Sequence, residues 1–273
     1  MATGIIDTGT DQLLCEVRKR VALITLNRPE SRNALGDIIT PALRRQIKER
    51  SDDPDVSALL ITGAGTAFCA GGDVKGMGGG QPALQLTQDQ KVERLKERQR
   101  TLTGALVAVR KPTVAALPGP AAGAGLAIAL ACDIRIAAAS AFVSTGYARV
   151  GLSGDYGIAW LLTRLVGTAK ARELLFTAER VDAATCERLG LVNRVVPDES
   201  FRSDAFAFAQ SLAEGPSVAL RQMKDNLDDA LTKPFLTALD GEAQRLVETA
   251  RTEDHKEAVR AFIEKRKPNF KGR

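Results

Sequence analysis

Between Pro118 and Asp133 the chain reads PGPAAGAGLAIALACD. Up to Ala131 none of its side chains can take a proton, hold a metal or attack a carbonyl. What such a stretch can offer is backbone N–H, because small residues let a ligand approach the main chain closely. A second glycine-rich segment, GAGTAFCAGGDVKGM (63–77), follows the apolar run SALLIT (57–62), just as the first follows TVAAL (113–117). Two such loops after two neighbouring strands can each aim one N–H at a single oxygen. A helix starting near Ala124 or Gly125 would add the free donors and positive dipole end of its first turn. The chemistry is that of an oxyanion hole. The same glycines would equally serve close strand–helix packing, and the residues alone leave both readings open.

Other chemistries fail on residue type or spacing. A dinucleotide fingerprint needs a third small residue, but Gly123-x-Gly125 puts Ile128 there and Gly63-x-Gly65 puts Phe68. No phosphate-binding P-loop is present. The one histidine, His255, sits in the charged helix-like stretch TEDHKEAVR, which argues against a histidine triad and a histidine-rich metal site. Cys15, Cys69, Cys132 and Cys186 form no CxxC pair, so reduced thiols in a cytoplasmic protein are expected, with no disulfide framework and no metal. Asp155, in GLSGDYG, immediately precedes the apolar run IAWLLTRLV and reads on position alone as a helix cap or first-turn acid.

The elements that must position these loops follow from pattern. LLCEV and VALITL flank a short basic turn, Arg18 to Arg20, as paired strands. DIITPALRRQIKER has helical periodicity, and LTQDQKVERLKERQRTLTGALVAV reads as a long amphipathic helix. TVAAL and DIRIAAA (133–139) are strands on either side of the glycine–alanine stretch, whose second half, from Leu126, can be helical. The segment 76–83, GMGGGQPA, reads as a flexible loop. This alternation predicts an α/β fold. From about residue 200 only helical patterns remain, so a core of residues 1–200 and a helical region of residues 201–273 are expected. The net charge of +5 permits a phosphate-bearing ligand and makes nucleic acid unnecessary as a partner. The uncharged stretch 113–131 is broken by Pro118, Gly119 and Pro120, so no membrane span is expected, and the N-terminus lacks the pattern of a secretory signal.

LNRPESRNAL (26–35), AFCAGGDVKGM (67–77), KPTVAALPGPAAGAGLAIALACDIRIAA (111–138), GLSGDYGIAWLLTRLVG (151–167), ARELLFTAERVDAATCERLGLVNRVV (171–196) and FIEKRKPNF (262–270) resemble, in order, the signatures of the crotonase, or enoyl-CoA hydratase/isomerase, superfamily. The resemblance implies a ββα spiral core with a C-terminal helical trimerisation region, assembled as a homotrimer or hexamer. It implies an acyl-CoA thioester substrate, with coenzyme A entering as part of that substrate and no separate cofactor. By motif position the two oxyanion donors fall on the N–H groups of Gly72 and Ala124. Coenzyme A contacts fall on Arg32, Ala34, Ala70 and Val74, with Phe262 and Lys265 reaching it from a neighbouring subunit.

The sequence departs from the family where hydratases carry two glutamates: the positions hold Ala127 and Tyr147. Neither residue is a carboxylate base, although Tyr147 can still line the substrate site. Asp155 matches the position of the single catalytic carboxylate of some isomerases and dehalogenases of the superfamily. Burial beside Tyr147 and Trp160 would raise its pKa and strengthen it as a base. One carboxylate suffices for shifting a double bond. Dehalogenation of an aromatic acyl group ranks lower because a pocket rich in rings is not available from 4% aromatic residues. Asp73 is expected to hold the oxyanion loop. The alternatives are a hydratase with a non-standard acid and a weakly catalytic coenzyme A-binding scaffold or RNA-binding member.

Overall fold

The computed structural model describes residues 4–73 and 86–273. Val74 and the glycine-rich segment 76–83 lie outside the described residues. The framework is a seven-stranded sheet in the order β1-β2-β3-β4-β5-β7-β10. Its strands are β1 (Gly4–Ile6), β2 (Leu13–Arg18), β3 (Val21–Leu26), β4 (Ala58–Gly63), β5 (Thr113–Leu117), β7 (Ile134–Ala138) and β10 (Arg194–Val196). β1, β2 and β3 pair antiparallel, and every pairing from β3 to β10 is parallel. The β2–β3 turn is built by Lys19 and Arg20, both at positive φ, the backbone that suits a two-residue hairpin. β4 and β5 are buried along their whole length, as expected of parallel strands covered on both faces.

Crossovers supply the covering helices. α1 (Ile39–Asp52) joins β3 to β4 and buries Ile39, Ala42, Leu43, Gln46 and Ile47 as one stripe. Before β5 run α2 (Gln88–Gln99), a π-helical turn Arg100–Gly104 and the short α3 (Ala105–Ala108). α2 starts on a capping box in which Thr87 and Gln90 satisfy each other's backbone N–H groups. The predicted continuous amphipathic helix is therefore real in extent but contains an extra-residue turn, where it passes from exposed to buried surroundings. α4 (Ala124–Ala131) lies between β5 and β7 with all eight residues buried, which is why it has no amphipathic pattern to read.

A small sheet, β6-β8-β9, is formed by β6 (Ala121–Ala122), β8 (Phe142–Ser144) and β9 (Val181–Asp182). α5 (Ile158–Thr177) and α6 (Ala183–Arg188) follow. The C-terminal region is helical as expected: α7 (Phe201–Ala213), α8 (Ser217–Thr232), α9 (Phe235–Thr249) and α10 (Glu253–Ile263). α7 seats Phe201, Ala205, Ala209 and Ala213, spaced four apart, in the main hydrophobic core. α8 is tied to the sheet by Lys224, 2.7 Å from Asp133, whose other hydrogen bonds go to the Thr113 N–H and hydroxyl. Among the described residues no helix is long and apolar enough to cross a membrane.

Candidate active site

The two glycine-rich loops meet edge to edge. Cys69 and Ala121 form a parallel bridge, the Ala122 N–H donates to the Cys69 carbonyl at 2.9 Å, and the Phe68 N–H donates to Pro120 at 3.0 Å. Glycine is required at the seam. A Cβ on Gly125 would come within 2.4 Å of the Cys69 carbonyl oxygen and 2.7 Å of its Sγ. A Cβ on Gly71 would lie 2.9 Å from the Ala122 carbonyl oxygen and 3.5 Å from the Ala124 nitrogen, and Gly71 also has a φ of +93°. The packing reading of these glycines is met by these contacts. Close packing is what brings Gly72 and Ala124 to the same wall.

On that wall opens a cavity of about 900 Å³. Gly72 and Ala124 line it, as do Ala70, Tyr147 and Asp155. Among the described residues neither the Gly72 nor the Ala124 N–H has a hydrogen-bond acceptor, and Ala124 opens α4, where such donors are free by construction. Leu35, Ile38, Pro41, Leu95, Val150 and Leu152 supply apolar wall. The Gly72 loop is held from outside by Arg28, which donates to the Ala34 carbonyl at 2.8 Å and approaches Asp73 Oδ2 at 3.3 Å, while the Asp73 N–H donates to Leu35. Asp73 therefore has the loop-holding position expected of it.

Asp155 is not a helix cap. α5 begins on Gly157, in the left-handed region, with no side-chain cap bond. The carboxylate instead accepts a hydrogen bond of 2.6 Å from the Tyr147 hydroxyl. Burial pushes the Asp155 pKa above the ordinary carboxylate range, and the Tyr147 bond partly opposes that rise. Burial also drives the Tyr147 phenol upward, with Asp155 adding to the effect, so Tyr147 is a donor throughout the physiological range. Three carboxylates line the cavity among the described residues. Asp37 is almost fully solvent-exposed and 3.5 Å from Arg98, Asp73 is paired with Arg28, and Asp155 has no cationic partner among the described residues. Ala127, at one of the two glutamate positions, is wholly buried inside α4. Trp160 does not line the cavity; it is half-exposed on α5 with the Arg164 guanidinium 3.6 Å over its ring.

The remaining expected contacts divide. Arg32 and Ala34 do not line the cavity; the Arg32 carbonyl accepts from the Ala70 N–H at 2.9 Å, so these residues set the loop on which Ala70 rides. Phe262, 86% exposed, and Lys265 lie at the end of α10, away from the cavity of their own chain. Val74 lies outside the described residues. Missed from the sequence were Arg44 and Tyr156, both in the cavity wall, since an arginine on a polar helix face and a tyrosine in a turn carry no periodic signal. Among the described residues no group of three or more His, Cys, Asp or Glu side chains is arranged to hold a metal.

Comparison with known proteins gives the family. The family model for enoyl-CoA hydratase/isomerase matches residues 16–273, and the chain belongs to that family. It is 37% identical to "Probable enoyl-CoA hydratase echA8" of Mycobacterium bovis, over 95% of this chain and 98% of that one. It is 35% identical to the 1,2-epoxyphenylacetyl-CoA isomerase of Escherichia coli, over 96% and 98%. Among solved structures, an enoyl-CoA hydratase from Polaromonas sp. JS666 superposes with a TM-score of 0.87 at 32% identity, covering 95% of this chain and 99% of that one. The protein is an enzyme of this family with the crotonase fold.

Proposed function

We propose that the chain isomerises the double bond of an enoyl-CoA thioester, with Asp155 as the single proton carrier. The observation that carries the reading is the state of Asp155: half-buried, raised in pKa, without a cationic partner among the described residues and held by one hydroxyl. In the proposed reaction the thioester oxygen accepts hydrogen bonds from the Gly72 and Ala124 N–H groups. Asp155 removes a proton from one carbon, the electrons pass into the dienolate, and the proton returns two carbons away. Atoms and charge balance without water. Burial makes the carboxylate a stronger base, and Tyr147, bonded to one oxygen, leaves the other for the substrate. Each oxyanion donor would supply roughly 2.7–4 kcal/mol of transition-state stabilisation. The active assembly in this reading is a homotrimer or hexamer, with Phe262 and Lys265 reaching coenzyme A bound to a neighbouring subunit.

Water addition is the second reading, favoured by relatives named as hydratases. It requires Asp155 to activate a water with no glutamate to relay the second proton. The test is incubation of the protein, and of Asp155→Asn, with 2-enoyl- and 3-enoyl-CoA substrates. The proposed activity yields a product of unchanged mass with a shifted double bond, lost in the variant. A product heavier by one water would overturn it.

A further inference from the structure

Four arginines bury their Nε without a hydrogen-bond partner: Arg18, Arg44, Arg50 and Arg110. Three of these guanidinium groups are in ion pairs, Arg18 with Glu16, Arg50 with Asp53, and Arg110 with Asp225 and Asp228. Arg44 has no carboxylate partner among the described residues, and segment 74–85 contains no acid. Arg44 also differs in its place: it lies beside the buried stripe of α1 and lines the 900 Å³ cavity. The other described cations in its lining are engaged, Arg28 with Asp73 and Arg98 with Asp37. Taking a guanidinium partly out of water without a counter-charge is costly, and an anion arriving in the cavity would offset that cost.

The surroundings of Arg44 indicate which end of a ligand it meets. Its charge acts on the buried Tyr156 phenol, lowering a pKa that burial raises. Tyr156 follows Asp155 in the chain, and its N–H donates at 2.7 Å to Gln99 at the end of α2. Arg44 thus belongs to the wall made by α1, α2 and the Asp155–Tyr156 turn. Of the expected coenzyme A contacts, Ala70 lines the cavity, on the Gly72 loop and not on the elements that carry Arg44. Ile38 and Pro41, at the start of the helix that carries Arg44, and Leu95 on α2 add apolar lining to the cavity.

We propose that Arg44 is a specificity residue for an acyl chain carrying a carboxylate at the end remote from the thioester. The planar guanidinium suits bidentate recognition of that group, with the Tyr156 hydroxyl as its neighbour. The proposal rests on the acyl-CoA reading of the cavity but not on the isomerase reaction.

The test is equilibrium binding of saturated acyl-CoAs, which cannot be isomerised. Glutaryl-CoA and adipyl-CoA are compared with pentanoyl-CoA, hexanoyl-CoA and free coenzyme A, on the wild type, Arg44→Leu and Arg44→Lys. The wild type is expected to bind the carboxylate-terminated member of each pair roughly tenfold or more tightly, the effect of one charge-assisted contact. Arg44→Leu is expected to remove that preference and leave free coenzyme A unchanged, and Arg44→Lys to retain part of it. Equal binding of matched pairs by the wild type would overturn the proposal, whatever the variants do. Equal weakening of free coenzyme A and every thioester in Arg44→Leu would overturn it in favour of a phosphate contact. Failure of the wild type to bind any thioester would overturn the acyl-CoA reading itself.

Discussion

A carboxylic acid that must ionise to act is disfavoured by the burial that makes it a strong base, and Asp155 sits in that conflict. Its folded pKa is raised, so between the ordinary carboxylate pKa and the raised one the folded state holds more protons than the unfolded state. Stability therefore falls as pH rises through that window. Asp155→Asn removes the penalty: its Tm is expected to exceed that of the wild type at neutral pH, and the gap to close below the usual carboxylate range. The same variant should lose at least about 10²-fold in kcat while still binding thioester, as measured by steady-state kinetics and calorimetry. Tyr147→Phe removes the one bond that holds the Asp155 pKa down. The acid limb of its kcat–pH profile is expected to move to higher pH, with kcat at neutral pH down about tenfold. An unmoved limb would mean that Tyr147 does not hold the reacting carboxylate.

At the level of elements, the seam between the two glycine-rich loops carries the site. Gly125→Ala forces a methyl into the Cys69 carbonyl and side chain. It is expected to cost about 1–3 kcal/mol or more in denaturant unfolding. Activity should fall further than that loss of stability explains, because the Gly72 and Ala124 walls are pushed apart. Much of this architecture was legible from pattern: TVAAL is β5 to the residue, α1 lies within two residues of its periodic segment, and the chain is helical from about residue 200 as expected. What escaped was short or sealed. β6 is two alanines whose only signal is their partner strand, whereas α4 starts at Ala124, one of its two expected starts, behind Gly123 at φ 51°. The Tyr147–Asp155 contact was legible as an expectation because the family resemblance put both residues at active-site positions eight residues apart. Arg44 was not, since its proposed role comes from lacking a carboxylate partner among the described residues, and only three-dimensional packing reveals that.

Across the whole molecule, apolar surface is unevenly spent. α8, α9 and α10 expose Met223, Leu227, Leu231, Phe235, Leu236, Leu246 and Ile263, far more than isolated surface residues would account for. Sedimentation is expected to give three or six times the 29.1 kDa chain, and Leu246→Glu to shift the population toward smaller species. The four thiols report on the opposite pole of stability. All are buried, with burial pushing Cys15 up to about 11 and Cys69, Cys132 and Cys186 up to about 12. An alkylating reagent at neutral pH is expected to label none in the native protein and all four in denaturant, so thiol counting by mass reads the global unfolding transition.

The glycine–alanine wall has a consequence for how such a protein would be surveyed. Ala121, Ala122, Ala124, Ala127, Ala129 and Ala131 already carry the side chain that a truncation scan would install. An alanine scan would pass over this surface in silence and assign all function to Asp155 and its neighbours. Replacing the Ala124 amide by an ester, which deletes the N–H and keeps the methyl, is the edit to which the wall would respond.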